Sequence, residues 1–246
     1  MKRMTRINFL GVPVDIIDNE TLTEKIEEMI RDGKKHQIVL LTINKLLKFK
    51  NNIEYQRLLR EASLVLPVSR GIISGIKFQK KIEVTRYNPY EFIIKILSLV
   101  EKNNKGVYLL GSEIRDLIEA EKNLKASFPT LKIIGRFSGY FKRKMENDIK
   151  TSVRKSAPAL VLAGKGIKGR ELWLFRHIND FNAGIFLWVE NYLDIFAGKE
   201  KNISKKVFNL GLESLSGLLI KPWKIFLLFP YLYFKTLVIV YKILHK

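Results

Sequence analysis

Cysteine is absent from this 246-residue chain. That excludes disulfides and thiolate chemistry, and it fits a reducing compartment. Histidine is scarce: His36, His177 and His245 are scattered and offer no metal-ligand spacing. His177 stands at helical spacing from Trp173 and Phe181, so it reads as a packed side chain rather than a base. No GxGxxG follows the first apolar run, and no GxxxxGK followed by Ser or Thr occurs, so dinucleotide and P-loop readings lack their signatures. No Asp-x-Asp is present to hold a divalent ion on a nucleotide diphosphate. The amino-terminal residues have no sustained apolar run and do not read as a signal peptide. Acidic residues are few beside basic ones, 24 against 44, giving a formal charge of +20. Such a balance asks for a polyanionic surface or ligand: nucleic acid, anionic lipid or a phosphorylated substrate. No nucleic-acid-binding motif accompanies the charge, and nucleic acid is not expected as a partner.

What is present is most pronounced at the carboxyl terminus, in KPWKIFLLFPYLYFKTLVIVYKILHK. Lys221, Lys224, Lys235, Lys242 and Lys246 are spaced by 3, 11, 7 and 4 residues. On a helix, all five fall within an arc of roughly 60°. Trp223, Phe226, Phe229, Tyr233, Phe234 and Tyr241 lie outside that arc. A narrow cationic stripe beside a broad apolar face suits the plane of an anionic membrane surface, with Lys221, Trp223, Lys224, Lys235 and Lys242 as contacts. Two other arrangements compete. Spanning needs about 20 apolar residues; Ile225 to Leu244 has that length, but Lys235 would then cost roughly 2.5–3.5 kcal/mol. A buried helix, packed on the core or on a partner, is the third. Pro230 bends or breaks the helix in every version.

The first 200 or so residues alternate short β-branched runs with amphipathic segments. INFLGVPV reads as a strand pair. A helix from about Thr21 follows, with Thr21 and Glu24 as a capping box. QIVLLTIN is a strand, followed by a helix reaching Arg60 to Ala62 and by the strand LVLP. PYEFIIKILSLVEKNN is helical, with Pro89 in its first turn. GVYLLG, LKIIGRF, ALVLAG and GIFLWV are strands, separated by helices over Ile114–Ser127, Lys142–Lys155 and Glu171–Asp180. Continuous apolar strands between helices mean a mostly parallel sheet covered on both faces: a doubly wound, Rossmann-like α/β domain over 1–200, with a basic, apolar appendage over 201–246.

Ligands of such sheets bind at the carboxyl ends of the strands. Those ends carry Thr42 and Asn44, Gly71, Gly111 and Ser112, Gly139 and Tyr140, and Gly164 and Gly166. Any one of these glycines suits an ordinary strand-to-helix turn. The whole set points to a phosphate-bearing ligand approached closely by backbone. Without an acidic motif for a metal, nucleotide-sugar chemistry here would be metal-independent, with Arg or Lys neutralising the leaving phosphate.

The order of these landmarks resembles the WecG/TagA/CpsF family of bacterial glycosyltransferases. Thr42-Ile43-Asn44 after the second strand, the turn from Pro67 to Gly71, VYLLGS, FPTLKIIGRFSGYF, ALVLAGKGIKGRE, DIFAGK (Asp194 to Lys199) and LGLES follow the family's motifs in order over nearly the whole chain. The resemblance implies an inverting enzyme at the cytoplasmic face of the bacterial membrane, peripheral or anchored by its carboxyl terminus. It would move an N-acetylmannosamine-type sugar from a UDP donor to a polyprenyl-diphosphate-linked sugar in cell-surface polysaccharide synthesis. A homo-oligomer or an envelope-assembly partner is a further expectation. Substrate contacts are expected from Thr42, Asn44, Gly111, Ser112, Gly139, Tyr140, Gly164, Gly166, Arg170 and Glu190, with no cofactor or metal.

Departures from the family pattern concentrate at its catalytic turns. Val68 occupies the place of the family's catalytic aspartate and Ser69 that of the adjacent glycine. Glu83 replaces an arginine, Arg86 and Asn88 replace a glycine and an aspartate, and Lys168-Gly169-Arg170-Glu171 retains only the glutamate of a Pro-Lys-Gln-Glu turn. Glu190 and Asn191 stand where the family has two glycines. Asn202-Ile203-Ser204 replaces Arg-Ala-Pro, and Ser214 and Gly217 replace a tryptophan and an arginine. Either the base has moved, with Glu83, Glu171, Glu190 and Asp194 as candidates and Arg70, Arg86 or Arg170 meeting the diphosphate, or the chain is a silent, membrane-bound binding subunit of a polysaccharide-assembly complex.

Overall fold

A computed structural model of the chain describes residues 4–211 and 228–244. Lys221, Trp223, Lys224, Ser214 and Gly217 lie outside the described residues.

Strands β1 (Thr5–Phe9) and β2 (Val12–Ile16) form an antiparallel hairpin. Its turn residues Leu10 and Gly11 both have positive φ, 53° and 87°, the backbone twist that a two-residue hairpin turn requires. Helix α1 (Asn19–Arg31) begins two residues before the expected Thr21. The cap is Asp18, whose carboxylate accepts the amides of Glu20 and Thr21 and the Thr21 hydroxyl. Strand β3 (Lys35–Leu41) leads into α2 (Ile43–Asn51) and α3 (Ile53–Glu61). The sequence pattern suggests one helix here, but Asn52 leaves helical geometry and its side chain caps α3 through the Tyr55 amide.

Strand β4 (Leu64–Pro67) is followed by α4 (Arg70–Lys80), a helix absent from the sequence reading. Its two glycines mimic a loop signal. Both are placed by packing: a methyl group at Gly71 would stand 2.8 Å from the Ile43 side chain, and one at Gly75 2.7 Å from the Phe9 ring. Then come α5 (Pro89–Lys102), β5 (Gly106–Leu110), α6 (Ile114–Ser127), β6 (Lys132–Phe137) and α7 (Glu146–Ser156). They are followed by β7 (Leu160–Ala163), α8 (Glu171–His177), β8 (Gly184–Trp188), α9 (Tyr192–Phe196), α10 (Lys205–Leu210) and α11 (Leu228–Leu244).

Six strands, β3 to β8, pair in parallel in the order β4-β3-β8-β7-β5-β6. The doubly wound α/β expectation holds. Strand residues alternate between two layers of core: Ile38, Leu40, Leu64 and Leu66 face one side with α1 and α5, while Val39, Leu41 and Val65 face the other with α2, α3 and the hairpin. The hairpin covers the β4 edge. The Arg6 guanidinium donates to both oxygens of buried Asp15 at 2.8 Å, and Asp15 accepts the Val65 amide at 2.7 Å. An otherwise open edge is thereby closed.

Helix α11 returns to this second layer. Phe234 and Val238 are buried in it, and Phe234 meets the Phe9 ring edge-on with centroids 6.3 Å apart. From Leu228 to Leu244 the helix runs through Pro230 without a break. Lys242 donates to the Phe78 carbonyl at 3.0 Å and lies over the Phe78 ring, and Lys235 lies over Tyr231. The apolar surface of the helix is thus divided. One stripe packs on α2 and α4, while Phe229, Leu232, Tyr233, Ile239, Ile243 and Leu244 are exposed on the other side. Among the described residues, no helix is long and apolar enough to cross a membrane.

Candidate active site at the carboxyl edge of the sheet

Parallel strands bring six turns to one edge, and these turns differ in how they are built. Strands β5 and β7 are neighbours whose onward connections run in opposite directions, to β6 and to β8. This is the topological switch point at which such sheets bind ligands. Here the turns are pressed together. A methyl group at Gly111 would stand 2.8 Å from the Gly164 nitrogen, and one at Gly166 2.8 Å from the Gly139 carbonyl carbon. The Ser112 amide donates to the Lys165 carbonyl at 2.6 Å, the Gly139 amide to the Ser112 carbonyl at 3.0 Å, and the Lys165 amide to the Glu190 carbonyl at 2.9 Å. The glycines that the sequence singles out therefore let backbone meet backbone, forming a rigid platform. Ser112 Oγ is buried on it without a hydrogen-bond partner. Tyr140 and Arg170 project from it, exposed.

Residues 164–169, GKGIKG, do have GxGxxG spacing, but they follow β7 and not the first strand. The turn is not a dinucleotide cradle. Its Lys165 amide is occupied by Glu190, and α8 starts beyond Gly169 instead of at the second glycine.

The other half of the edge is made of side chains. Thr42 caps α2, its hydroxyl accepting the Lys45 amide at 3.4 Å, and Asn44 is exposed on the first turn. Beneath them lies a buried charged cluster linking four elements. Lys45 Nζ is 2.8 Å from Glu171 Oε2, and the Tyr55 hydroxyl donates to Glu171 Oε1 at 2.5 Å. Gln37 of β3 donates to the Glu171 carbonyl at 3.1 Å. Burial alone would raise the Glu171 pKa, but the Lys45 charge and hydrogen bond, helped by the Tyr55 hydroxyl, hold it below the ordinary carboxylate value. Burial, reinforced by Glu171, pushes the Tyr55 hydroxyl far up. Glu171 is thus an ionised structural anchor with both oxygens engaged. This is the cluster the sequence reading missed: Tyr55 and Glu171 are separated by 116 residues, and no spacing pattern joins them.

Glu190 stands at the end of β8 with φ 50°, its side chain 58% exposed and Oε1 3.9 Å from Lys45 Nζ. Asp194 is 1% exposed, its Oδ2 3.1 Å from Lys165 Nζ. Lys165 also reaches Glu200, and hydrogen bonds to Asp194 and Glu200 raise its pKa. Glu83 lies apart on the loop after α4, exposed and paired with Lys77. Val68 is 5% exposed and part of the core. The arginines flanking it are engaged structurally. Arg86 donates to the Val68 carbonyl at 2.9 Å and the Phe208 carbonyl at 2.6 Å, and Arg70 donates to the Leu210 carbonyl. Both thereby hold the carboxyl end of α10, where the helix dipole favours cations.

The edge therefore joins a glycine platform to a side-chain-lined rim, with exposed Asn44, Tyr140, Arg170 and Glu190 around it. A model of the glycosyl transferase WecG/TagA/CpsF family matches residues 7–246. The N-acetylglucosaminyldiphosphoundecaprenol N-acetyl-beta-D-mannosaminyltransferase of Staphylococcus aureus strain NCTC 8325 / PS 47 is 22% identical over 221 residues, covering 89% of this chain and 86% of that protein. Its counterpart in strain MW2 is 22% identical over 198 residues, covering 80% and 77%. A parallel sheet whose carboxyl edge carries the TxN turn and the glycine platform, matched along almost its full length, places the chain in the WecG/TagA/CpsF glycosyltransferase family.

Proposed function

We propose that this protein transfers an N-acetylmannosamine-type sugar from a UDP donor to a polyprenyl-diphosphate-linked N-acetylglucosamine, at the cytoplasmic face of a bacterial membrane. The observation that carries the reading is the near full-length family match, which includes the Thr42–Asn44 turn at the exposed rim. The orphaned Ser112 hydroxyl offers the platform a donor for a phosphate or sugar oxygen. Arg170, exposed on the turn after β7, supplies positive charge for the leaving diphosphate without a metal. Purified protein given UDP-N-acetylmannosamine and the lipid-linked acceptor is expected to release UDP.

Burial of Val68 in the core favours a second reading, a silent binding subunit. Donor binding by calorimetry without turnover is the result that selects it. Absence of both binding and turnover defeats both readings.

The membrane assignment rests on the outward side of α11, where Phe229, Leu232, Tyr233, Ile239 and Ile243 are exposed, and Lys235 borders them. Such a helix lies in the lipid interface while its other side stays on the protein. Replacing Leu232 and Ile239 with glutamate is expected to release the protein from anionic liposomes without lowering its melting temperature. Retention of liposome binding by that variant would remove α11 from the membrane contact.

A further inference from the structure

We propose that Glu190 is the proton acceptor of this transfer, replacing from the end of β8 the acid that the family resemblance places at Val68. The inference rests on the glycosyl transfer proposed above.

Geometry sorts the carboxylates of the edge. Glu171 is buried with both oxygens engaged by Lys45 and Tyr55. Asp194 is buried against Lys165. Glu200 is taken by Lys165 and Asn191. Glu113, at the end of β5, faces Lys199 at 4.0 Å. Glu83 is paired with Lys77, the eighth residue of α4, about 10 Å along the helix from the rim. Glu190 alone in this group combines an exposed carboxylate with a position beside the TxN turn.

Strand order puts Glu190 and the vacated position on the same carboxyl edge, with β3 between their strands. Leu41 of β3 pairs with Pro67 of β4, and Ile38 of β3 pairs with Leu187 of β8. The β3–β8 pairing ends there, and Glu190 follows Leu187 by three residues at the same edge to which Leu41 and Pro67 run. Two strand spacings, about 10 Å, separate the ends of β8 and β4, and a glutamate side chain spans roughly half of that. The 3.9 Å approach to Lys45 sets the carboxylate against α2, the helix that opens at Thr42 and Asn44. Lys45 is fixed from below by Glu171, so it acts as a positioning residue for Glu190.

Backbone geometry adds an independent sign. Glu190 adopts φ 50°, a left-handed conformation that glycine adopts freely and that other residues hold at a cost, typically at functional sites. The resemblance places a glycine here, so this chain keeps a carboxylate where the backbone favours none.

In the step itself, the acceptor hydroxyl oxygen bonds to C1 of the donor sugar. The bond between C1 and the β-phosphate oxygen breaks, and its electron pair leaves with UDP. The hydroxyl proton passes to the Glu190 carboxylate and then to solvent. No other reactant is needed.

The test is Glu190→Gln, with Glu190→Gly as a second variant whose backbone suits the site, so that lost activity cannot be ascribed to misfolding. Expected is a fall in kcat of about 100-fold or more, with KM for the donor and the calorimetric affinity for UDP unchanged within about twofold. Added formate is expected to restore part of the kcat of Glu190→Gly, which a merely structural role would not produce. Wild-type turnover with Glu190→Gln unimpaired overturns the inference alone. Loss of UDP affinity at unchanged kcat also overturns it, making Glu190 a donor-binding residue. Absence of wild-type turnover overturns the proposed function and this inference with it.

Discussion

The two halves of the carboxyl edge solve the same problem, fixing six turns in space, by opposite means. On the β7-β5-β6 side, glycines remove side chains so that backbones hold one another. On the β4-β3-β8 side, a buried lysine, glutamate and tyrosine hold the turns through side chains, and an exposed glutamate stands above them. The first half is rigid because nothing is there to move. The second is rigid because charges are locked beneath it, which leaves its surface free to vary. The departures at Val68 and Glu190 fall in this second half; in the first, Gly111, Gly139, Gly164 and Gly166 keep their places and the changes are confined to Lys168, Gly169 and Arg170 at the far end of the β7 turn.

The strongest way to break the contrast is Lys45→Ala. Removing one partner of a buried ion pair costs about 3–5 kcal/mol, because the other charge is left uncompensated. Chemical denaturation at neutral pH is expected to register that loss. Acid sharpens the test. In the native wild type the Glu171 pKa is lowered, so its contribution is complete above the unfolded carboxylate value of about 4.3. That contribution fades as pH falls through the lower native value. In Lys45→Ala, burial without a cation raises the Glu171 pKa, so acidification protonates it early and relieves the variant. The stability gap between the two proteins should therefore narrow as pH falls from 7 toward about 4. A gap that stays constant would mean that Glu171 is not the source of the loss.

Gly111→Ala attacks the other half. Gly111 has φ 148°, and a methyl group would press on the Gly164 nitrogen and Cα at 2.8 and 2.9 Å. Backbone strain and overpacking together cost on the order of 3 kcal/mol. With no ionisable group involved, the loss should be independent of pH between about 4 and 7, unlike that of Lys45→Ala. A loss that varies with pH over this range would break the distinction between the halves.

Much of the first half was legible in the sequence because its signals are local. The runs GVYLLG, LKIIGRF and ALVLAG, each with a glycine at its end or within two residues of it, give the strands and their turns directly, and β5, β6 and β7 appear where expected. The second half depends on contacts across the chain. The glutamate retained at 171 reads as a surface charge until α2 and α3 bring Lys45 and Tyr55 to it. Helix α4 was concealed by Gly71 and Gly75, which look like turn residues until Phe9 and α11 are seen packing on them. Periodicity gave the apolar breadth of α11 but could not divide it. Which stripe packs inward is decided by Phe9, Ile43 and the small α4 surface they share with Phe234 and Val238.

The mildest prediction reverses the sign of the glycine test. Where Gly111→Ala should destabilise, Glu190→Gly should stabilise. Releasing a left-handed non-glycine residue recovers about 1–3 kcal/mol, and the extra freedom of glycine in the unfolded chain takes back about 0.5–1 kcal/mol. Losing the 3.9 Å approach of an exposed carboxylate to Lys45 costs little. The balance is a gain of about 1 kcal/mol, or a rise in Tm of about 2–4 °C for a chain of this size. Such a gain, coupled to loss of turnover, is the signature of strain retained for chemistry. If Glu190→Gly is instead less stable than wild type, the glutamate is there to support the rim, and both halves of the edge are built for structure alone.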